Sequence, residues 1–152
     1  SMSTRIKSDN PTVYLAGPWF TEGQPERLAK IEQLMDELKM TYYSPRLDGI
    51  DFTPDATDAD RNAVFADNVD HLKAAKLVVA VIDGFDTGTI WETGTAYGLD
   101  IPVAYYLETL GDGTFNVMLA KSGKATIQNM ADLKTFLQDP TSDDFQYTGA
   151  IR

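Results

Sequence analysis

Three carboxylates crowd one short stretch of this chain, Asp83-Gly84-Phe85-Asp86-Thr87-Gly88-Thr89-Ile90-Trp91-Glu92-Thr93-Gly94. Glu92 falls in the first turn of an expected helix. There the helix dipole holds a carboxylate ionised, which suits a nucleophile. The same residue also fits a capping box, Thr89-x-x-Glu92, in which the glutamate bonds back to the helix start. Both readings hold for one residue only if the side chain leaves the cap. Gly94, Ala96 and Gly98 follow it, and each glycine weakens a helix by up to ~1 kcal/mol. Such residues are tolerated where a backbone packs closely against something. Asp86, six residues before Glu92, reads either as a turn-former or as the group that exchanges a proton with a leaving group. Asp83 ends a strand and could equally cap the turn.

Tyr14 sits inside an apolar run, where its polar tip needs a partner if buried. It is either a core tyrosine bonded to backbone or, if its hydroxyl reaches Glu92, the group that orients the nucleophile. Asn68 shares a helical face with Val64, Phe65 and Leu72, so its amide points toward the core or a pocket rim. A buried amide must be hydrogen-bonded, and a structural bond and a ligand contact both satisfy that need. Trp19-Phe20 offers an apolar slot for a flat ring, or an ordinary rim or subunit contact.

Several other chemistries lose their support. Asp55, Asp58 and Asp60 lack the spacing of a calcium loop. The single histidine, His71, supplies neither a histidine-based metal site nor a Ser-His-Asp set, and its helix position reads as exposed. No P-loop lysine motif and no G-x-G-x-x-G follow the first strand. The chain has no cysteine, which removes thiolate chemistry and fits the cytoplasm. Neither a metal nor an organic cofactor is expected. A formal net charge of −10 repels phosphate backbones, so a nucleic-acid polymer is an unsuitable partner whereas a small neutral molecule is not repelled. No apolar run approaches the ~20 residues that span a bilayer, and no signal-like amino terminus is visible.

The elements that must position these residues alternate strand and helix. Thr12–Ala16 reads as a buried first strand ended by Gly17-Pro18. Pro25 opens a helix with Leu28, Ile31, Leu34, Met35 and Leu38 on one face. Met40–Ser44 is a second strand, and the acidic stretch Asp48–Asp60 a surface loop. A helix over Asp60–Ala75 turns Val64, Phe65, Val69 and Leu72 inward. Leu77–Ile82 is an apolar strand of the kind covered on both faces. Then come a helix over Thr89–Leu99, a strand over Ile101–Leu107, a turn at Gly111-Asp112-Gly113, and helices over Asn116–Ala120 and Asn129–Leu137 flanking a small strand at Ala125-Thr126-Ile127. Ser1-Met2 reads as the remnant of a tag. With 152 residues, 43% hydrophobic and 24% charged, the expectation is one domain over 1–152. Its fold class is α/β: a flavodoxin-like three-layer αβα sandwich around a mainly parallel five-stranded sheet. Ligands of such sheets bind beyond the strands' carboxyl ends, here just after Ala16, Ile82 and Leu107.

With those residues in view, the chain resembles the nucleoside 2-deoxyribosyltransferases. Val13-Tyr14-Leu15-Ala16-Gly17-Pro18-Trp19-Phe20 is similar to the family's first strand and base-stacking turn, and Asp86 through Glu92-Thr93-Gly94 to its acidic turn and catalytic glutamate. Asn116-Val117-Met118 resembles the Asn-x-Met lent to a neighbouring subunit's site, where it holds the sugar 5′-hydroxyl. Phe145–Ile151 resembles the carboxyl-terminal tail. The resemblance implies transfer of 2-deoxyribose between nucleobases through a covalent deoxyribosyl-glutamate. Glu92 would be the nucleophile, Tyr14 would orient it, and Asp86 would assist at the base. Trp19, Phe20 and Asn68 would contact the base, with Asn116 and Met118 at the sugar. It also implies deoxyribonucleosides and free bases as partners and a homo-oligomer, a hexamer, with shared sites. Two positions depart from the pattern: Asn68 stands where aspartate is usual, and Arg152 where the tail usually ends in tyrosine. The alternatives are a deoxynucleoside 5′-monophosphate N-hydrolase, a non-catalytic nucleoside-binding module, and a flavodoxin-like electron carrier, which would be yellow.

Overall fold

The structure, a computed structural model, describes residues 12–51, 53–110 and 113–152. Ser1-Met2 and most of the expected Gly111-Asp112-Gly113 turn lie outside the described residues. In chain order the elements are β1 (Val13–Ala16), α1 (Gln24–Glu37), β2 (Tyr42–Tyr43), α2 (Pro45–Asp48), α3 (Asp58–Ala74), β3 (Leu77–Val81), α4 (Thr87–Gly98), β4 (Val103–Tyr106), β5 (Thr114–Phe115), α5 (Val117–Ser122), β6 (Ala125–Ile127), α6 (Met130–Gln138) and β7 (Ala150–Ile151).

The apolar runs become one five-stranded sheet in the order β2-β1-β3-β4-β6, every neighbouring pair parallel. This is the flavodoxin-like strand order. Side chains alternate across each strand, so Val13 and Leu15 join a core with Leu28, Ile31 and Met35 of α1 and Leu133 and Phe136 of α6. Tyr14 and Ala16 join a second core with Leu72 of α3 and Ala96 of α4. Two cores on opposite sides of one sheet make three layers. The direction of winding reverses between β1 and β3, and a ligand crevice opens at that reversal. Gly17 leaves little room there: a Cβ would stand 2.8 Å from Leu28 Cδ2 and 3.2 Å from the Val81 side chain.

The expected strands and helices are all present, with ends shifted by at most two residues. The acidic stretch is less of a loop than expected: Asp48 closes α2, and α3 starts at Asp58 behind a capping box between Thr57 and Asp60. The inward face assigned to α3 is corrected too. Only Leu72 is buried, and Phe65 is 57% exposed. The earlier turns of α3 border a cleft instead of covering the sheet. A pairing with no periodic signal in the sequence joins β5 to β7 as a separate parallel ribbon, Thr114 opposite Ala150 and Phe115 opposite Ile151.

Glu32, an apolar-face intruder in α1, is 4% exposed. Its carboxylate accepts from Ser44 Oγ at 2.6 Å and Arg46 Nε at 3.0 Å, and Arg46 Nη2 engages the other oxygen. This two-pronged pair fastens α2, whose Pro45 walls the cleft. Removing one partner strands the other's charge, so Glu32→Ala should lower unfolding free energy by roughly 2–4 kcal/mol. Urea denaturation measures this, and an unchanged midpoint would refute it.

Candidate active site

The cleft lies at the carboxyl ends of β1 and β3, with a volume of about 430 Å³, within the usual range for a small-molecule site. The turn from β3 into α4 sets its polar wall. Gly84 and Phe85 both take positive φ, 80° and 52°, and so swing Asp86 to the start of α4. Asp86 is the N-cap: its Oδ2 accepts from Thr89 N at 3.0 Å and Thr89 Oγ1 at 2.9 Å. The capping box expected between Thr89 and Glu92 is therefore absent. Because α4 begins at Thr87, Glu92 lies more than a turn inside it. Its side chain is free of the cap and reaches the cleft floor.

There the Tyr14 hydroxyl donates to Glu92 Oε2. Tyr14 is wholly buried, so of its two readings the structure has the hydroxyl on Glu92. Burial, then the Glu92 charge and hydrogen bond, push the phenol far above its ordinary range, so it keeps its proton and remains a donor. Glu92 is pushed up from 4.5 to about 7, chiefly by burial. The Tyr14 bond pulls it down and the Asp86 charge pushes it further up.

Two aromatic pairs border the cleft. Trp19 and Phe20 pack with ring centroids 4.8 Å apart, Phe65 and Trp91 at 5.4 Å. Phe65 and Trp91 escaped the sequence reading. Phe65 fits a core periodicity, and Trp91 carries no motif beyond standing beside Glu92. Asn68 also lines the cleft. Behind it, Tyr43 packs against Tyr14 at 5.6 Å and against His71 at 3.8 Å. His71 Nδ1 lies 2.7 Å from the Asp67 carbonyl oxygen. That ring is half-buried, not exposed as its helix position suggested, because it stacks on Tyr43.

The structure thus brings Glu92, Tyr14, Asp86, Trp19, Phe20 and Asn68 to one place. It does not bring Asn116 and Met118 there. Asn116 caps α5, its Oδ1 accepting from Met118 N at 2.9 Å and Leu119 N at 3.3 Å, and Met118 is 73% exposed. The tail runs beside them: Arg152 N donates to Phe115 O, and Val117 N to Arg152 O, both at 2.9 Å. Asp83 also points elsewhere, accepting from Arg27 Nη1 at 2.5 Å and from the backbone N–H groups of Glu108 and Thr109 at 2.9 Å. It ties the ends of β3 and β4 together and so closes off the segment after Leu107. Among the described residues no cluster of His, Asp or Glu is gathered to hold a metal ion, and no helix is long and apolar enough to cross a membrane.

Residues 13–136 match the nucleoside 2-deoxyribosyltransferase family. Among solved structures, the 2-deoxyribosyltransferase of Bacillus psychrosaccharolyticus is 30% identical, with 85% of this chain and 90% of that one covered and a TM-score of 0.71. That enzyme is described as a biocatalyst for making antiviral and antitumoral nucleosides. A conserved protein of Enterococcus faecalis V583 is 22% identical, covering 97% of this chain and 82% of that one at a TM-score of 0.55, a likeness of fold alone. No curated protein sequence matches significantly.

Proposed function

Because the chain belongs to the nucleoside 2-deoxyribosyltransferase family, we propose that it moves 2-deoxyribose between nucleobases by way of a covalent ester on Glu92. The observation that carries this reading is the Glu92 carboxylate at the floor of an aromatic-walled cleft, held by the buried Tyr14 hydroxyl. The chemistry is a double displacement of the retaining-glycosidase kind. A Glu92 oxygen attacks C1′ of the deoxyribonucleoside. The C1′–N bond breaks with its electron pair going to the base, and Asp86, with Asn68, contacts the base and assists its protonation. A second base then attacks C1′, loses its proton, and displaces Glu92, restoring the β configuration. Trp19 and Phe20 on one flank and Phe65 and Trp91 on the other supply flat apolar surfaces for the base.

Asn116 and Met118 serve the sugar of an adjacent subunit's site in this reading. Their exposure outside the Glu92 cleft leaves them available for that role. Among the described residues the cleft lining holds two carboxylates and neither lysine nor arginine, which disfavours a 5′-phosphate.

The test is chromatography of the protein with deoxyinosine, with and without adenine. Deoxyadenosine should form only when adenine is present, and intact-mass measurement should find a fraction of the chain heavier by one deoxyribosyl group. Hypoxanthine release at equal rates in both tubes, with no new nucleoside, would overturn the transferase reading. Asp86→Asn separates chemistry from folding. Asparagine caps a helix as well as aspartate does, so thermal stability should hold. Exchange should fall by roughly 10²–10⁴-fold, since the amide cannot carry the proton. Unaltered exchange would remove Asp86 from the mechanism.

A further inference from the structure

The Tyr43 hydroxyl stands between two side chains, 2.8 Å from Asp67 Oδ2 and 3.0 Å from Asn68 Oδ1. A phenol has one proton to give, and a carboxylate can only accept. The proton therefore goes to Asp67, the charged and nearer acceptor. Tyr43 retains it, because burial and the Asp67 carboxylate both raise the phenol above its ordinary range. The hydroxyl oxygen is then an acceptor toward Asn68. An amide carbonyl placed against it would set two oxygens together with no proton between them. Turning the planar amide over would relieve this, exchanging Oδ1 for Nδ2 as a donor to the Tyr43 oxygen. The Asn68 side chain makes no other hydrogen bond among the described residues, and Asn68 lines the cleft.

Resting on the deoxyribosyl-transfer reading, we propose that Tyr43 and Asp67 are positioning residues that fix the Asn68 amide with its carbonyl toward the base. The cleft then selects bases that present an exocyclic amino group there over their keto counterparts. Adenine meets the Asn68 carbonyl with a donor. Hypoxanthine sets an oxygen against it.

The experiment measures kcat/KM for adenine and hypoxanthine as acceptors, with calorimetric binding of both free bases alongside. Four proteins are compared: the wild type, Tyr43→Phe, Asn68→Asp, and the two substitutions combined. The wild type should favour adenine by roughly tenfold, the usual size of a mismatched hydrogen bond in a closed site. Tyr43→Phe frees the amide to turn, so the ratio should fall to within about threefold of unity. In the Asn68→Asp background both ends accept, and adding Tyr43→Phe should leave the ratio unmoved. A wild-type preference for hypoxanthine would overturn the proposal. So would a ratio insensitive to Tyr43→Phe, or an equal shift in both backgrounds, which would mark Tyr43 as merely structural. Binding ratios that follow this pattern without any exchange would uphold the amide orientation and overturn the transfer reading alone.

Discussion

Glu92→Gln should lower deoxyribosyl exchange by roughly four orders of magnitude or more, the scale seen when a covalent nucleophile is removed, and should make the protein more stable at pH 8. The first effect follows from chemistry, since an amide oxygen is too poor a nucleophile to displace a base. The second follows from linkage. Glu92 titrates near 7 in the folded protein and at about 4.5 in an ordinary environment. Between those values the folded chain keeps a proton that the unfolded chain has lost, so unfolding free energy falls as pH rises through that window. Above pH 7 the full cost of a buried, Asp86-facing carboxylate is present, on the order of 2–3 kcal/mol. Glutamine carries no charge and escapes it. The stability gap between variant and wild type should thus be widest above pH 7 and should close below pH 4.5. Paired urea titrations at pH 4.5 and 8 decide the matter, and a variant no more stable than wild type at pH 8 refutes it. The same ionisation should make kcat/KM of the wild type rise with pH through about 7.

Tyr14→Phe should reduce kcat by roughly 10²-fold, the cost of losing one positioned hydrogen bond at the reacting group, and should move the acid limb of kcat/KM to higher pH. The hydroxyl bond lowers the Glu92 titration against the opposing pull of burial and Asp86. Without it, burial acts unopposed and ionisation needs more alkaline conditions. A buried tyrosine that only filled space would leave the pH profile where it was, so an unshifted limb would remove Tyr14 from the site.

The layers of the fold were legible because their signals are local. The run Leu77–Ile82 can hardly be anything but a strand covered on both faces, and α1 carries its apolar face at regular spacing. The place of Asp86 and Glu92 was legible for a different reason, whereas the residues alone leave the partner of Tyr14 open and the family resemblance supplies it. In a doubly wound sheet ligands bind beyond the carboxyl ends of the strands, and the turn carrying Asp86 and Glu92 follows β3 directly. What stayed illegible depends on distances between elements. Phe65 has the spacing of a core residue, and only the stand-off of α3 from the sheet makes it a cleft wall. The Thr89-x-x-Glu92 spacing imitates a cap because the true cap, Asp86, bonds to the same Thr89. Glu32 looks like a surface charge until Arg46 and Ser44, brought by another element, close over it. The β5–β7 ribbon pairs residues 36 apart (Thr114 with Ala150), with no composition to announce it.

The chain has two tryptophans, Trp19 and Trp91, and both border the cleft. Light absorbed beyond the range of tyrosine is therefore re-emitted only from the walls around Glu92. A bound purine stacked between them would quench or shift that emission, so occupancy can be followed without a label. The same fact limits what the emission says about denaturation. It registers the opening of the cleft between the β1 turn and the α3–α4 wall, while circular dichroism registers the sheet and helices as a whole. Superimposable curves from the two probes would mean that the cleft and the sheet come apart as one unit. An earlier fluorescence transition would mark the cleft as the first part of the molecule to loosen.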